Sequence, residues 1–205
     1  MKGLYAITDP KLTPYHMMEA LVEAAIDGGA RLIQLRDKEL SDRELAPMAR
    51  RLLSLCQQRG VLFVVNDRVE LAAAIGAHGV HIGKGDADYQ TARRLMGARI
   101  IGVSCYNRLD LAEHFQALGA DYVAFGSVFP SPTKPDAARA ELSLISEASR
   151  RLAIPVCAIG GITVDNAAEV AAAGADMAAV ISGLWDAGDP ESVRLRASQF
   201  AEALS

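Results

Sequence analysis

The feature that most constrains this chain is a repeated ending: eight short apolar runs, spread over its full length, mostly stop in a polar or glycine cluster. They cover 3–9, 31–38, 62–67, 79–86, 100–104, 122–127, 156–161 and 177–182. The runs are rich in Val, Ile, Leu and Ala without strict alternation, which suits strands covered on both faces by helices, as in a parallel sheet. Parallel strands that expose their C-terminal ends on one face would gather the polar endings into a single site.

Between the runs lie segments of helical periodicity at 17–27, 42–59, 109–118, 164–173 and 191–203. Ser41, Asp110 and Pro190 with Glu191 mark helix starts, and glycines at 28, 60, 119 and 174 sit where helices should stop. Four strands share an entry phrase, Gly29-Ala30-Arg31, Gly97-Ala98-Arg99, Gly119-Ala120-Asp121 and Gly174-Ala175-Asp176, which reads as a recurring αβ loop. Eight such βα units close naturally into a (β/α)8 TIM barrel, expected as a single domain over 1–205. An open doubly wound sheet needs only about five or six strands and usually a glycine-rich first βα turn. The first turn here is Thr8-Asp9-Pro10. The longest irregular stretch, 127–139, follows the sixth run, and a loop of that length on a compact barrel points to ligand contact.

With 205 residues, 51% of them hydrophobic, the chain can bury a substantial core, and a formal charge of −4 argues against a broad nucleic-acid footprint. No apolar stretch is long enough to span a bilayer and the start lacks the pattern of a signal peptide, so a soluble cytoplasmic protein acting on small molecules is expected, without nucleic-acid or membrane partners. Cys56, Cys105 and Cys157 are widely separated and odd in number, which favours buried reduced thiols, with Cys105 beside a strand end as the one candidate for reactivity. A homo-oligomer is compatible with the sequence.

In Gln34-Leu35-Arg36-Asp37-Lys38, alternation sends Gln34 and Arg36 to one face, with Lys38 following in the loop. The group is either an ion-paired strand end or an anion site, and its neighbours favour the second. Asn66-Asp67 ends the third run and Asp86 lies just past the fourth, so two carboxylates can meet across adjacent strand tops. Such a pair beside cations suits Mg²⁺ held by carboxylates, diphosphate oxygens and water. Taken singly, Asp67 reads as a helix cap and Asp86 as a turn, and Asp88 is a weaker metal candidate. Ser131-Pro132-Thr133-Lys134 adds hydroxyls and an ammonium in the long sixth loop. Gly160-Gly161 after the seventh run and Ile181-Ser182-Gly183 after the eighth let backbone N–H groups approach a phosphate, at the usual phosphate position of barrels. His81 reads as a packed core histidine rather than a ligand, and His16, His78 and His114 are scattered. Ser104 has no histidine partner visible in the sequence, so no nucleophile and base pair is evident and positioning with electrostatics should dominate.

Taken together, these residues resemble the thiamine phosphate synthase family. Matches span the chain, from Tyr5-Ala6-Ile7-Thr8-Asp9 through 34–38, Asn66-Asp67, 81–86, Gly102-Val103-Ser104, 125–136 and 159–163 to 180–183. The resemblance implies a (β/α)8 barrel that joins hydroxymethylpyrimidine diphosphate to thiazole phosphate, two small phosphorylated substrates, with Mg²⁺ as cofactor. It implies that Gln34, Leu35, Arg36, Asp37, Lys38, Asn66, Ser104 and Lys134 bind the pyrimidine diphosphate, with Gln34 on the pyrimidine. Arg36, Lys38 and Lys134 would be catalytic, by neutralising the leaving diphosphate. Asp67 and Asp86 would hold the metal, and Ser131, Pro132, Thr133, Gly161, Ile181 and Ser182 the thiazole phosphate. Two departures from the family pattern are Lys84, where glutamine is frequent, and Cys105-Tyr106, where a histidine is frequent. The rival readings are a thiazole tautomerase of the same superfamily, a non-catalytic phosphate-ligand barrel and a sugar-phosphate epimerase. The charged set Lys38, Asp67, Asp86 and Lys134 counts against the tautomerase.

Overall fold

A computed structural model of the chain describes residues 1–130 and 139–205. Eight parallel strands, β1 (Gly3–Ile7), β2 (Leu32–Leu35), β3 (Leu62–Asn66), β4 (Gly79–Ile82), β5 (Ile100–Tyr106), β6 (Tyr122–Gly126), β7 (Val156–Ile159) and β8 (Met177–Val180), pair in sequence order. β1 also pairs with β8, with Gly3 opposite Met177, so the barrel is closed. The helices are α1 (Met18–Asp27), α2 (Asp42–Gln58), α3 (Val69–Ile75), α4 (Tyr89–Met96), α5 (Leu109–Ala117), α6 (Leu142–Arg151), α7 (Val164–Ala172), the short α8 (Ser182–Trp185) and α9 (Pro190–Ala203). The expected (β/α)8 barrel is present, each strand lying within or, for β5, two residues beyond its apolar run.

Closure explains why the runs do not alternate polar with apolar. Residues such as Leu4, Ile33, Phe63, Val103 and Phe125 point outward into the layer shared with the helices, whereas Tyr5, Leu32, Val64, Tyr122 and Met177 point into the barrel. Both faces of every strand are therefore buried.

Helix punctuation follows the residues that announced it. Ser41 and Glu44 form a capping box at the start of α2, and Asp189 caps α9 just before Pro190. The αβ loops after α1, α5 and α7 close alike: the N–H of Ala30, Ala120 and Ala175 donates to the carbonyl five residues back, at 2.9, 2.9 and 3.3 Å, after a glycine of positive φ. At the N-terminal end of the barrel, Asp121 and Asp176 accept from the N–H of Ile101 and Val156, at 2.8 and 3.0 Å, locking those loops to neighbouring strands.

One glycine is required for space rather than for a turn. A Cβ at Gly102 would lie 1.9 Å from the ring of Tyr122, so the absence of a side chain on β5 is what admits the tyrosine from β6. Gly102→Ala should cost about 1–3 kcal/mol of stability from overpacking, measured as a shift in the urea unfolding midpoint at unchanged slope. An unshifted midpoint would show that the interior can yield there.

Candidate active site

The C-terminal ends of the strands surround a cavity of about 390 Å³, lined in part by Gln34, Arg36, Asn66, His81, Ser104 and Tyr106. Its opposite wall comes from Ser127, Ile159, Gly160, Gly161, Ile181 and Ser182. The polar endings of different strands thus converge on one opening, as parallel closure requires.

On β2, pleating divides the predicted group. Gln34 and Arg36 face the cavity, and the Leu35 side chain is fully buried in the outer layer against the helices. Asp37 does not face the cavity either. Its side chain is 0% exposed and accepts from the N–H of Glu39 and Leu40, at 2.9 and 2.7 Å, and from the Tyr15 hydroxyl. Arg68 completes that support, lying 3.7 Å from the Asp37 carboxylate and donating to the carbonyls of Asp37 and Leu40 at 3.0 and 2.6 Å. Of the set expected on the diphosphate, Leu35 and Asp37 turn their side chains away from the cavity and build the loop that carries Arg36 and Lys38.

The turn after β1, given no ligand role by the sequence, supplies the other support. Asp9 lies 3.6 Å from the Arg36 guanidinium, and Thr8 accepts from the Arg36 N–H at 3.0 Å. Trp185 of α8 donates to the carbonyl of Ile7 at 2.6 Å and anchors the turn after β8 to β1.

Asp67 follows β3 in the left-handed region, with φ of 61°, a conformation that aspartate tolerates better than most residues. Its N–H donates to the His81 carbonyl at 2.8 Å, and its carboxylate is ion-paired with Lys38 and lies beside Asp86. Burial works against the charge of Asp67, but Lys38 and the Asp86 carboxyl hold it below the ordinary carboxylate range. Asp86 is pushed up, by burial and then by Asp67. Asp67 is thus favoured in its charged form while its neighbour is pushed toward the neutral one. Asp86 also accepts from the N–H of Gly83 at 2.7 Å. Asp88 instead caps α4, accepting from the Thr91 N–H at 3.0 Å, which accounts for it without a ligand. Among the described residues, no group of three or more His, Cys, Asp or Glu side chains converges on a metal position.

Ser104 does have a histidine partner, contrary to the sequence reading: His81 Nε2 lies 2.8 Å from its Oγ. The Nδ1 of the same ring lies 2.9 Å from the Tyr122 hydroxyl, which is 2.8 Å from that of Tyr5, and Gln34 Nε2 donates to Tyr5. His81 is a core histidine, as expected, and it also touches the cavity. Burial lowers its pKa to about 4 against the opposing pull of Asp67, so the ring is neutral near pH 7.

Strand β5 runs two residues past its predicted end, and a register shift between Ser104 and Tyr106 marks a bulge. Tyr106 sits at φ of 57° and its hydroxyl accepts from the Lys84 N–H at 2.8 Å, fastening the turn that bears Asp86. The two departures from the family pattern therefore lie against each other. Cys105 is buried, and burial pushes its thiol up to about 12, which removes it as a nucleophile near pH 7. Cys56 and Cys157 are likewise free and buried. The remaining candidates Ser131, Pro132, Thr133 and Lys134 lie outside the described residues.

Across the cavity, β7 and β8 end in bare backbone. A Cβ at Gly161 would meet the Pro130 carbonyl oxygen at 2.4 Å, so only glycine lets that turn pack under the sixth loop. Among the described residues, the N–H groups of Gly161 and Ser182 donate to no backbone carbonyl.

A closed (β/α)8 barrel with cations and paired carboxylates on one side of its mouth and free backbone donors on the other defines a barrel protein for phosphorylated ligands. The family model described as thiamine monophosphate synthase matches residues 4–184, and the chain belongs to that family. It is 54% identical over 205 residues to a thiamine-phosphate synthase of Thioalkalivibrio sulfidiphilus, covering 98% of this chain and 96% of the relative. It is 49% identical over 201 residues to the protein of that name from Methylobacillus flagellatus, covering 98% and 94%. The solved structure of a thiamine phosphate pyrophosphorylase from Pyrococcus furiosus superposes with a TM-score of 0.89 at 38% identity, covering 98% of this chain and 95% of that one.

The support under Arg36 and Lys38 is sensitive to pH. Burial opposes ionisation of Asp37, but the Tyr15 hydroxyl, the N–H groups of Leu40 and Glu39 and the Arg68 charge together depress its pKa. A depressed carboxyl stabilises the fold above its unfolded value of about 4 and loses that contribution as pH falls through the folded value. The stability gap between the protein and Asp37→Asn should therefore be constant from pH 8 to 5, on the order of 1 kcal/mol or more, and close below about pH 4. Denaturation at several pH values measures it, and a gap independent of pH would refute the role.

Proposed function

We propose that the chain makes thiamine phosphate by joining 4-amino-2-methyl-5-(diphosphomethyl)pyrimidine to thiazole phosphate with release of diphosphate. The observation that carries this reading is the arrangement of two anion-binding halves around a single cavity, in a chain of the thiamine monophosphate synthase family. Arg36, Asn66 and Ser104 line one half, with the Lys38–Asp67 pair in the loops next to them, and the loops after β7 and β8 line the other.

In this reading Gln34 holds the pyrimidine, while Arg36, Lys38, Asn66 and Ser104 hold its diphosphate, with Lys134 from the sixth loop. Gly161, Ile181 and Ser182 receive the thiazole phosphate on backbone N–H groups, with Ser131 and Thr133 beside them. As the C–O bond to the leaving group breaks, negative charge grows on the diphosphate, and Arg36, Lys38 and Lys134 neutralise it. The electron-rich aminopyrimidine stabilises the methylene cation, and the thiazole nitrogen forms the new C–N bond with its lone pair. No protein nucleophile is needed, which agrees with the inert Cys105.

Asp67 and Asp86 suit Mg²⁺: they lie near enough to shift each other's ionisation, and a hard divalent cation takes one or two carboxylates plus phosphate oxygens and water. When bound, the ion would supply further charge neutralisation at the diphosphate. A cytoplasmic biosynthetic role accords with the family, and among the described residues no helix is long and apolar enough to cross a membrane.

Purified protein given both substrates and Mg²⁺ should release diphosphate, with none when either substrate is omitted and a loss on chelation. Asp67→Asn should lower turnover about tenfold or more and raise the Mg²⁺ concentration required. Tautomerisation of the thiazole without condensation would overturn the reading, and unchanged kinetics in Asp67→Asn would remove its assignment.

A further inference from the structure

The barrel interior holds an unbroken chain of polar groups, Gln34, Tyr5, Tyr122, His81 and Ser104, that begins and ends at the cavity. We propose that Tyr5, Tyr122 and His81 are positioning residues that give this chain one direction, so that the Ser104 hydroxyl donates into the cavity, and that the amide of Gln34 sets the direction.

With the Gln34 nitrogen on Tyr5, the proton count leaves one solution. An amide nitrogen donates and does not accept, so Gln34 Nε2 gives its hydrogen to the Tyr5 oxygen. The single proton of Tyr5 then goes to its only other partner, the Tyr122 oxygen at 2.8 Å. Tyr122 in turn must donate to His81 Nδ1 at 2.9 Å. A neutral imidazole that accepts on Nδ1 carries its proton on Nε2, which faces Ser104 Oγ at 2.8 Å. Ser104 therefore accepts from the ring, and its own proton has no acceptor among the described residues. That proton is left for whatever fills the cavity, and its complement is an anion.

Turning the amide of Gln34 over would reverse every link. Its oxygen would accept from Tyr5, His81 would carry its proton on Nδ1, and Ser104 would give its hydrogen to Nε2 and present only lone pairs to the cavity. An anion would then meet no donor at Ser104. A ligand amino group that engages the Gln34 oxygen keeps the nitrogen on Tyr5 and so keeps Ser104 a donor. Recognition of an aminopyrimidine at one end would thereby be tied to anion binding at the other. This last link rests on the proposed function; the direction of the chain does not. The three internal members are buried, so an unpaired group would be costly, and serial hydrogen bonds polarise one another.

Two measurements separate these levels. Nitrogen-15 resonances of histidine in the full-length ligand-free protein, with His81 assigned by its loss in His81→Gln, should show Nε2 protonated and Nδ1 not. Protonation on Nδ1 overturns the proposal whatever the kinetics. In the condensation assay, Ser104→Ala should lower kcat about a hundredfold, and Tyr122→Phe about tenfold with KM for the diphosphate substrate altered less than about twofold. The double variant should be no slower than Ser104→Ala alone, because Tyr122 acts through Ser104. Multiplied losses in the double variant overturn the positioning role. Unchanged kcat in Ser104→Ala overturns the use of Ser104 in the reaction, even where the tautomer is as expected.

Discussion

Closure of the barrel is the constraint on which the rest depends, because a polar group buried inside it must find its partner there. Tyr5, Tyr122 and His81 all point into that space, and each finds its partner in another, with Gln34 and Ser104 at the ends. Gly102 makes the room that Tyr122 occupies, so the hydrogen-bonded series and the packing of the barrel are one structure. A buried hydroxyl without such a partner would cost about 1–3 kcal/mol, a large part of the stability of a domain of this size.

Above this interior, the charged residues are held in two tiers. Arg36, on the cavity wall, is backed by Asp9, and Lys38 in the following loop pairs with Asp67, so both cations are already compensated within the protein. Below them, Asp37 and Arg68 fasten the loop after β2, and Tyr106 fastens the loop after β4. A ligand that binds here exchanges partners among groups that are already oriented, which limits the ordering cost of binding.

Much of this was legible along the chain. Eight runs with polar endings, glycines after the helices and the repeated αβ phrase all follow from local physics, since strand and helix periodicity and positive φ are properties of short segments. Gln34, Arg36, Asn66 and Ser104 were readable as cavity residues because period-two alternation in a strand fixes which side chains share a face. The same rule, applied to β1, would have placed Tyr5 and Ile7 on the cavity side. It also separates Leu35 from its neighbours. The surroundings of the Asp37 side chain were not legible because a carboxylate beside two cations looks the same in sequence whether it meets a ligand or three N–H and O–H donors of its own protein. The extension of β5 to Tyr106 was invisible because a bulge depends on the register with β6.

The sequence by itself determined the repeating βα unit, the side of each strand and the order in which charges reach the barrel mouth, because these depend on contacts among near neighbours. Only the tertiary structure decided which of those charges are paired, that His81 lies against Ser104 across 23 positions, and that Tyr5 meets Tyr122 across 117. Those contacts depend on closing β8 onto β1 and on the register of adjacent strands, and no local pattern encodes the distance between two side chains that meet only when the barrel is complete.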